Sequence, residues 1–108
     1  MLELTAQNFE KETKNKIILV DFWAGWCGPC VAMAPSFERL EKEFGRKIKF
    51  AKCNVDSSPF LSQQFEIRGI PCTILLKNGK EVERIVGFSS EDGLRKSIDK
   101  ILIKLNNE

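Results

Sequence analysis

The sequence contains no histidine, and this absence limits what its cysteines can do. It has four cysteines, Cys27, Cys30, Cys53 and Cys72, and only the first two lie close together. A four-cysteine zinc site usually consists of two close pairs, and no histidine is present to complete the ligand set. The sequence therefore disfavours structural zinc, and we expect no metal site.

Long apolar runs are absent as well. No stretch approaches the length of a membrane-spanning helix, and residues 1–12 mix charged and apolar side chains without a recognisable signal peptide. We therefore expect a cytoplasmic protein that makes no membrane contact, in a compartment where structural disulfides are rare. The 17 basic and 15 acidic residues are scattered without a basic block, which disfavours nucleic-acid binding.

No repeat, low-complexity tract or linker divides the chain. Its 108 residues are the length of one ordinary domain, and a hydrophobic content of 43% is enough for a core. We expect a single domain over residues 1–108 that exists as a monomer.

Strand and helix patterns alternate along the chain. Ile17–Phe22 is a nearly continuous apolar run that suits a central strand covered on both faces. Apolar residues three and four apart predict a helix over Cys27–Phe44, which Pro35 should kink. The dipeptide Asn78-Gly79 predicts a two-residue hairpin between the last two strands.

The remaining elements complete an α/β pattern. Ser58-Pro59 opens a short predicted helix, and Ser89 with Asp92 resembles a capping box for the last helix. The other predicted strands are Leu2–Leu4, Ile48–Val55, Cys72–Leu76 and Glu81–Val86. The order β-α-β-α-β-α-β-β-α predicts a mixed sheet with helices on both faces.

The close pair Cys27 and Cys30 lies at the start of a predicted helix, directly after the apolar strand. A permanent disulfide across so short a loop would constrain the unfolded chain little. A helix N-terminus, in contrast, offers unpaired N–H groups and the positive end of the helix dipole, which stabilise a thiolate. A thiolate attacks disulfides, and a second thiol nearby can resolve the mixed disulfide. The spacing therefore favours a redox-active pair.

Asp21 and Pro71 each allow two interpretations. Asp21 could be a carboxylate at the strand edge that reaches solvent, but its apolar neighbours favour burial, and a buried carboxyl can exchange protons near neutral pH. Pro71 could simply mark the first residue of a strand, or its peptide bond could be cis. The local sequence does not choose between the two for Pro71.

Five motifs follow one another over essentially the whole chain: ILVDFWAGWCGPC at residues 18–30, Pro35, AKCNVD at 51–56, IRGIPCTILLKNGK at 67–80 and VGF at 86–88. In this order they resemble the thioredoxin family. The resemblance implies the thioredoxin fold, a three-layer α/β/α arrangement around a mixed five-stranded sheet. It also implies a dithiol–disulfide oxidoreductase that reduces protein disulfides through Cys27 and Cys30. The expected electron donor is an NADPH-dependent flavoprotein reductase, and no tightly bound cofactor is expected.

The resemblance also assigns roles to individual residues. Cys27 would be the attacking thiol and Cys30 the resolving thiol, with Asp21 as the buried acid–base carboxyl and Lys52 as its partner. From the residue type alone, Lys52 would simply reach for water. A surface for substrate docking would comprise Trp23, Trp26, Gly28, Pro29, Ile70, Pro71 and Gly87. Tryptophans can also be core residues, but two of them around a reactive loop favour a surface role for at least one.

Three positions depart from the family pattern. Val31 stands where many members have lysine, Cys53 replaces an aliphatic residue, and Cys72 replaces the threonine after the family's cis-proline. Cys72 could pair with Cys53, join a metal site, act as a regulatory thiol or fill space in the core. Family strand order would put a strand between the two, which excludes the pairing, and alternation favours packing in the core.

Two other functions compete with reduction on the same fold. Oxidases and isomerases often carry a histidine between the two cysteines, whereas this chain has Gly28 and Pro29 there, which favours reduction. A non-catalytic binding module is the other alternative.

Overall fold

The computed structural model of the protein describes residues 1–107, and its elements follow the predicted order. The strands are β1 (Leu2–Glu3), β2 (Ile17–Trp23), β3 (Lys49–Asn54), β4 (Cys72–Lys77) and β5 (Lys80–Val86). The helices are α1 (Phe9–Thr13), α2 (Gly28–Phe44), α3 (Pro59–Gln64) and α4 (Glu91–Asn106). Observed bounds differ from the predicted ones by only one or two residues at most ends.

The five strands form one mixed sheet in the order β1-β3-β2-β4-β5. β3 pairs in parallel with β1 and β2, whereas β4 pairs antiparallel with β2 and β5. β2 is therefore the central strand, as its continuous apolar run predicts, and its C-terminal end leads directly to the loop before α2.

Successive residues of β2 point to opposite faces of the sheet, and each face has its own core. Val20 and Phe22 pack with Leu61 of α3 and with Phe65, which directly follows that helix. Leu19 packs on the other face, with apolar residues of α2 and α4. Helices thus cover both faces, which confirms the three-layer α/β/α architecture. None of the described helices is long and apolar enough to cross a membrane.

Local signals explain where elements begin and end. Asn78 and Gly79 have φ values of 53° and 79°, the left-handed pair that a tight two-residue hairpin requires. The predicted hairpin between β4 and β5 is confirmed.

The predicted cap of α4 is wrong by one residue. Ser90, not Ser89, is the N-cap, and its hydroxyl oxygen accepts a hydrogen bond from the Gly93 N–H at 3.1 Å. Pro35 lies within one continuous helix, α2, and the kink stays a prediction.

Candidate active site

Cys27 and Cys30 form a disulfide at the N-terminus of α2. Cys27 is the N-cap residue, with an extended backbone, and its Sγ accepts a hydrogen bond from the Cys30 N–H at 3.2 Å. The Cα atoms lie 5.2 Å apart, within the usual range for a disulfide. Pro29, in the first turn, has no N–H to leave unpaired.

The start of α2 favours a thiolate once the disulfide is reduced. Its first turn contains no acidic residue that would oppose a negative charge on sulfur. Helix N–H groups and the positive end of the dipole therefore act on the sulfurs without local competition. An added Cβ at Gly28 would meet no atom within 4 Å, so the space beside Cys27 is open.

A second loop packs against the disulfide. The peptide bond between Ile70 and Pro71 is cis, the second of the two alternatives left open by the sequence. The Cys27 Sγ lies 3.8 Å from the Ile70 carbonyl oxygen. The Gly87 N–H donates to the Pro71 carbonyl at 2.8 Å, and Gly87 has a φ of 91°, which favours glycine. Residues far apart in the sequence thus meet at one rim of the disulfide.

The two tryptophans have different environments. Trp26 is 72% exposed, and its indole N–H donates to the Asp56 carboxylate at 2.8 Å. Trp23 is half-buried and packs against the two cysteines, and the Lys52 ammonium lies 5.1 Å from the centre of its ring. The exposed ring of Trp26 is the one available to another molecule. Asp56, which holds it, was not singled out in the sequence.

Asp21 is buried beneath the active-site helix, at 5% exposure. Burial raises the pKa of its carboxyl and the charge of Lys52 partly offsets that rise, so that the pKa is about 7. Lys52 is the residue opposite Asp21 on β3. Their strand register therefore brings together the two residues that the resemblance pairs.

A cavity of about 240 Å³ connects the carboxyl with the resolving cysteine. Its walls include Asp21, Cys30, Trp23, Lys52 and Val31. A carboxyl with a pKa near neutrality can both take up and release a proton under ordinary conditions. Asp21 and Cys30 therefore line one and the same cavity.

The other two cysteines are free thiols buried in the core. Cys53 and Cys72 are the register partners of Phe22 on its two sides, so β2 separates them as expected. Two strand spacings amount to about 9–10 Å, too far for a disulfide. Burial raises the pKa of Cys72, and that of Cys53 to about 11, so both thiols are held in the protonated form. Within residues 1–107 no cluster of potential ligands could hold a metal ion.

A disulfide between closely spaced cysteines at a helix N-terminus, next to the end of a central strand, is the arrangement of a thiol–disulfide oxidoreductase. The thioredoxin family model matches residues 1–100. Thioredoxin from Bacillus subtilis (strain 168) is 38% identical over 102 residues, which cover 94% of this chain and 98% of the relative. Thioredoxin 2 from Chlorobaculum tepidum is 42% identical over 99 residues, which cover 90% and 91% of the two chains.

These matches show that the chain belongs to the thioredoxin family. It therefore has the thioredoxin fold and is a thiol–disulfide oxidoreductase that reduces disulfides. The family resemblance noted in the sequence is confirmed.

Proposed function

We propose that the protein is a general reductase of protein disulfides in which Cys27 attacks and Cys30 resolves. The observation that carries this assignment is the difference between the two sulfurs. Cys27 caps the helix beside the open space at Gly28, whereas Cys30 faces the cavity that it shares with Asp21.

The first step is attack by the Cys27 thiolate on a substrate disulfide. A bond forms between Cys27 and one substrate sulfur, and the other substrate sulfur leaves as a thiolate. The unpaired N–H groups at the start of α2 stabilise the attacking anion. Trp26, Gly28, Pro29, Ile70, Pro71 and Gly87 form the docking surface around the reacting sulfurs, with Trp23 beneath it.

The second step releases the substrate. The Asp21 carboxylate takes the proton of the Cys30 thiol, and the Cys30 sulfur attacks Cys27. The bond between Cys27 and the substrate breaks, so the substrate has gained two electrons and the Cys27–Cys30 disulfide has formed. Lys52 favours the ionised form of Asp21, so more of the carboxylate is available to accept a proton near neutral pH.

An external donor must then return two electrons to the disulfide. The family resemblance assigns this task to an NADPH-dependent flavoprotein reductase, and the protein itself needs no tightly bound cofactor. We further propose that residues 1–108 act as one domain, as a monomer, in the cytoplasm, without nucleic-acid or membrane partners.

Reduction of insulin disulfides tests the assignment, with dithiothreitol as the donor in one series and NADPH plus a thioredoxin reductase in the other. We expect catalysis in both series. A protein with both Cys27→Ser and Cys30→Ser should lose it completely, and Cys30→Ser alone should accumulate the mixed disulfide. Failure with both donors would contradict the proposed reductase.

A further inference from the structure

A row of polar residues crosses the sheet beneath the active site. Glu3, Lys52, Asp21 and Thr73 occupy facing positions on β1, β3, β2 and β4, and we call them the polar row. Among residues 1–107, the buried side-chain nitrogen and oxygen atoms without a hydrogen-bond partner are Glu3 Oε2, Asp21 Oδ1, Trp23 Nε1 and Thr73 Oγ1. Three of these four atoms belong to the polar row, and Trp23 is two residues from Asp21 on the same strand face.

Lys52 is the only cation of the polar row, and it lies between two carboxyls. It is the register partner of Glu3 on one side and of Asp21 on the other. Burial raises the pKa of both carboxyls, and the charge of Lys52 opposes that rise in both. Since Glu3 Oε2 and Asp21 Oδ1 both lack a partner, the lysine satisfies neither of these oxygens. Its flexible four-carbon stem allows the ammonium to approach either carboxyl.

We propose that Glu3 is a positioning residue for the resolving step, because it competes with Asp21 for Lys52 and thereby keeps Asp21 protonated to higher pH. This inference rests on the proposed role of Asp21 as the base for Cys30. Glu3 touches neither sulfur and acts only through Lys52. The negative charge of Glu3 draws the ammonium away from Asp21, and the weaker attraction of Lys52 then disfavours the Asp21 carboxylate.

The competition has a use in catalysis. A base works best when its pKa lies near the working pH, because it is then available yet still strong enough to remove a proton. An unshared Lys52 would favour the Asp21 carboxylate and weaken it as a base. Burial raises the pKa of Asp21, and Lys52 lowers it. Glu3 therefore limits how far Lys52 lowers this pKa and helps to keep it near neutrality.

Other titratable groups near Asp21 must be separated from this effect. The groups that face Asp21 or respond to its charge lie on β3, β1, α2, β4 and at the chain start: Lys52, Glu3, Cys30, Glu38, Cys72 and the amino group of Met1. The disulfide-bonded form removes Cys30 from this list because its sulfur no longer titrates. Glu38 lines the same cavity from α2 yet is exposed, so it provides a matched carboxyl for comparison.

The experiment is a carboxyl-carbon NMR titration of the oxidised protein, with Glu3→Gln as the test variant and Glu38→Gln as its control. We expect Glu3→Gln to move the titration midpoint of Asp21 to lower pH and Glu38→Gln to leave it in place. Lys52→Met should move the midpoint to higher pH. In the Lys52→Met background, the shift caused by Glu3→Gln should shrink, since the shared cation is gone.

Resolution kinetics supply the catalytic measurement. The rate of mixed-disulfide resolution in Glu3→Gln should keep its pH-dependent form, with the acid limb displaced to lower pH. An Asp21 midpoint that is unchanged in Glu3→Gln would overturn the proposal, as would an equal shift in Glu38→Gln. If Glu3→Gln fails to fold, the Glu3 carboxyl is titrated in the wild-type protein instead. A Glu3 titration curve without an inflection at the Asp21 midpoint would overturn the proposal. Glu3→Gln could shift the Asp21 midpoint while Asp21→Asn still resolves the mixed disulfide at the wild-type rate. That result would instead contradict the role of Asp21 as the base.

Discussion

Asp21 occupies a position where a carboxyl is costly to the fold. Apolar strands and the cavity beneath α2 surround it, and its Oδ1 has no hydrogen-bond partner. An ionised carboxylate in such a place loses hydration that the protein does not replace. The same desolvation that makes Asp21 useful as a base near pH 7 therefore reduces the stability of the folded state.

Replacement of Asp21 by asparagine should stabilise the oxidised protein in a pH-dependent way. In the folded state the carboxyl has a pKa of about 7, whereas an unfolded aspartate has about 3.9. Between these values the folded state binds more protons, so wild-type stability falls as the pH rises from 4 to 7. The gain from Asp21→Asn should approach about 4 kcal/mol at pH 8–9 and vanish near pH 4.

Denaturant midpoints from pH 4 to 9 measure this gain, and turnover should fall in the same variant because Cys30 loses its base. Asp99→Asn is the matched control, because Asp99 is exposed on α4. A gain equal in both variants, or independent of pH, would show that desolvation of Asp21 is not its cause.

Val31 should control the acidity of the attacking thiol. It follows Cys30, is 55% exposed and lines the cavity, at the position where many family members have lysine. Val31→Lys adds a positive charge within one turn of the sulfurs, which favours their ionised form. We expect the pH profile of Cys27 alkylation to move to lower pH, and Val31→Gln to leave it in place. A profile that does not move in either variant would mean that solvent screens the position.

Single residues show which parts of the site could be predicted. Cys27, Cys30 and Asp21 were predicted because each stands out against its own neighbours: a close cysteine pair and an acid within an apolar run. Asp56 and Glu3 were not, because their meaning depends on partners that lie far away in the sequence. The Trp26–Asp56 hydrogen bond spans 30 positions, and Glu3 meets Lys52 only through strand register.

Elements were predicted well in the interior and less well at their ends. Periodicity identified the core face of α2, whose buried residues include Met33, Phe37 and Leu40. Ser89 and Ser90 are adjacent hydroxyl residues, and the local sequence favours neither strongly. The backbone conformation determines which serine is the N-cap. Only the residue that is extended immediately before the first turn can direct its side-chain oxygen at the helix.

Loss of the α4 cap should therefore distinguish the two serines. Ser90→Ala removes the acceptor for the Gly93 N–H and should lower the free energy of unfolding by about 1 kcal/mol. Ser89→Ala is the matched control and should have a much smaller effect. Urea midpoints at constant slope measure both changes. A larger loss in Ser89→Ala would mean that α4 begins one residue earlier than it does here.

At the scale of the whole molecule, strand order keeps the two free thiols, Cys53 and Cys72, apart. β2 separates Cys53 from Cys72, and both thiols are in the core. We expect a disulfide reagent to find neither thiol in the native oxidised protein and both after denaturation. Rapid native labelling at Cys72 would contradict the core position and make that thiol a candidate regulatory or second redox site.

The position of these two thiols on either side of Phe22 has a practical consequence. Both side chains stand on the sheet face that α3 covers, in one cluster with Leu61 and Phe65, so each can react only when this layer of the core opens near it. Slow alkylation of variants that keep only one of the two thiols therefore measures local opening at two positions, without any added label. Equal rates would indicate one cooperative unit, and unequal rates would identify the position that opens first.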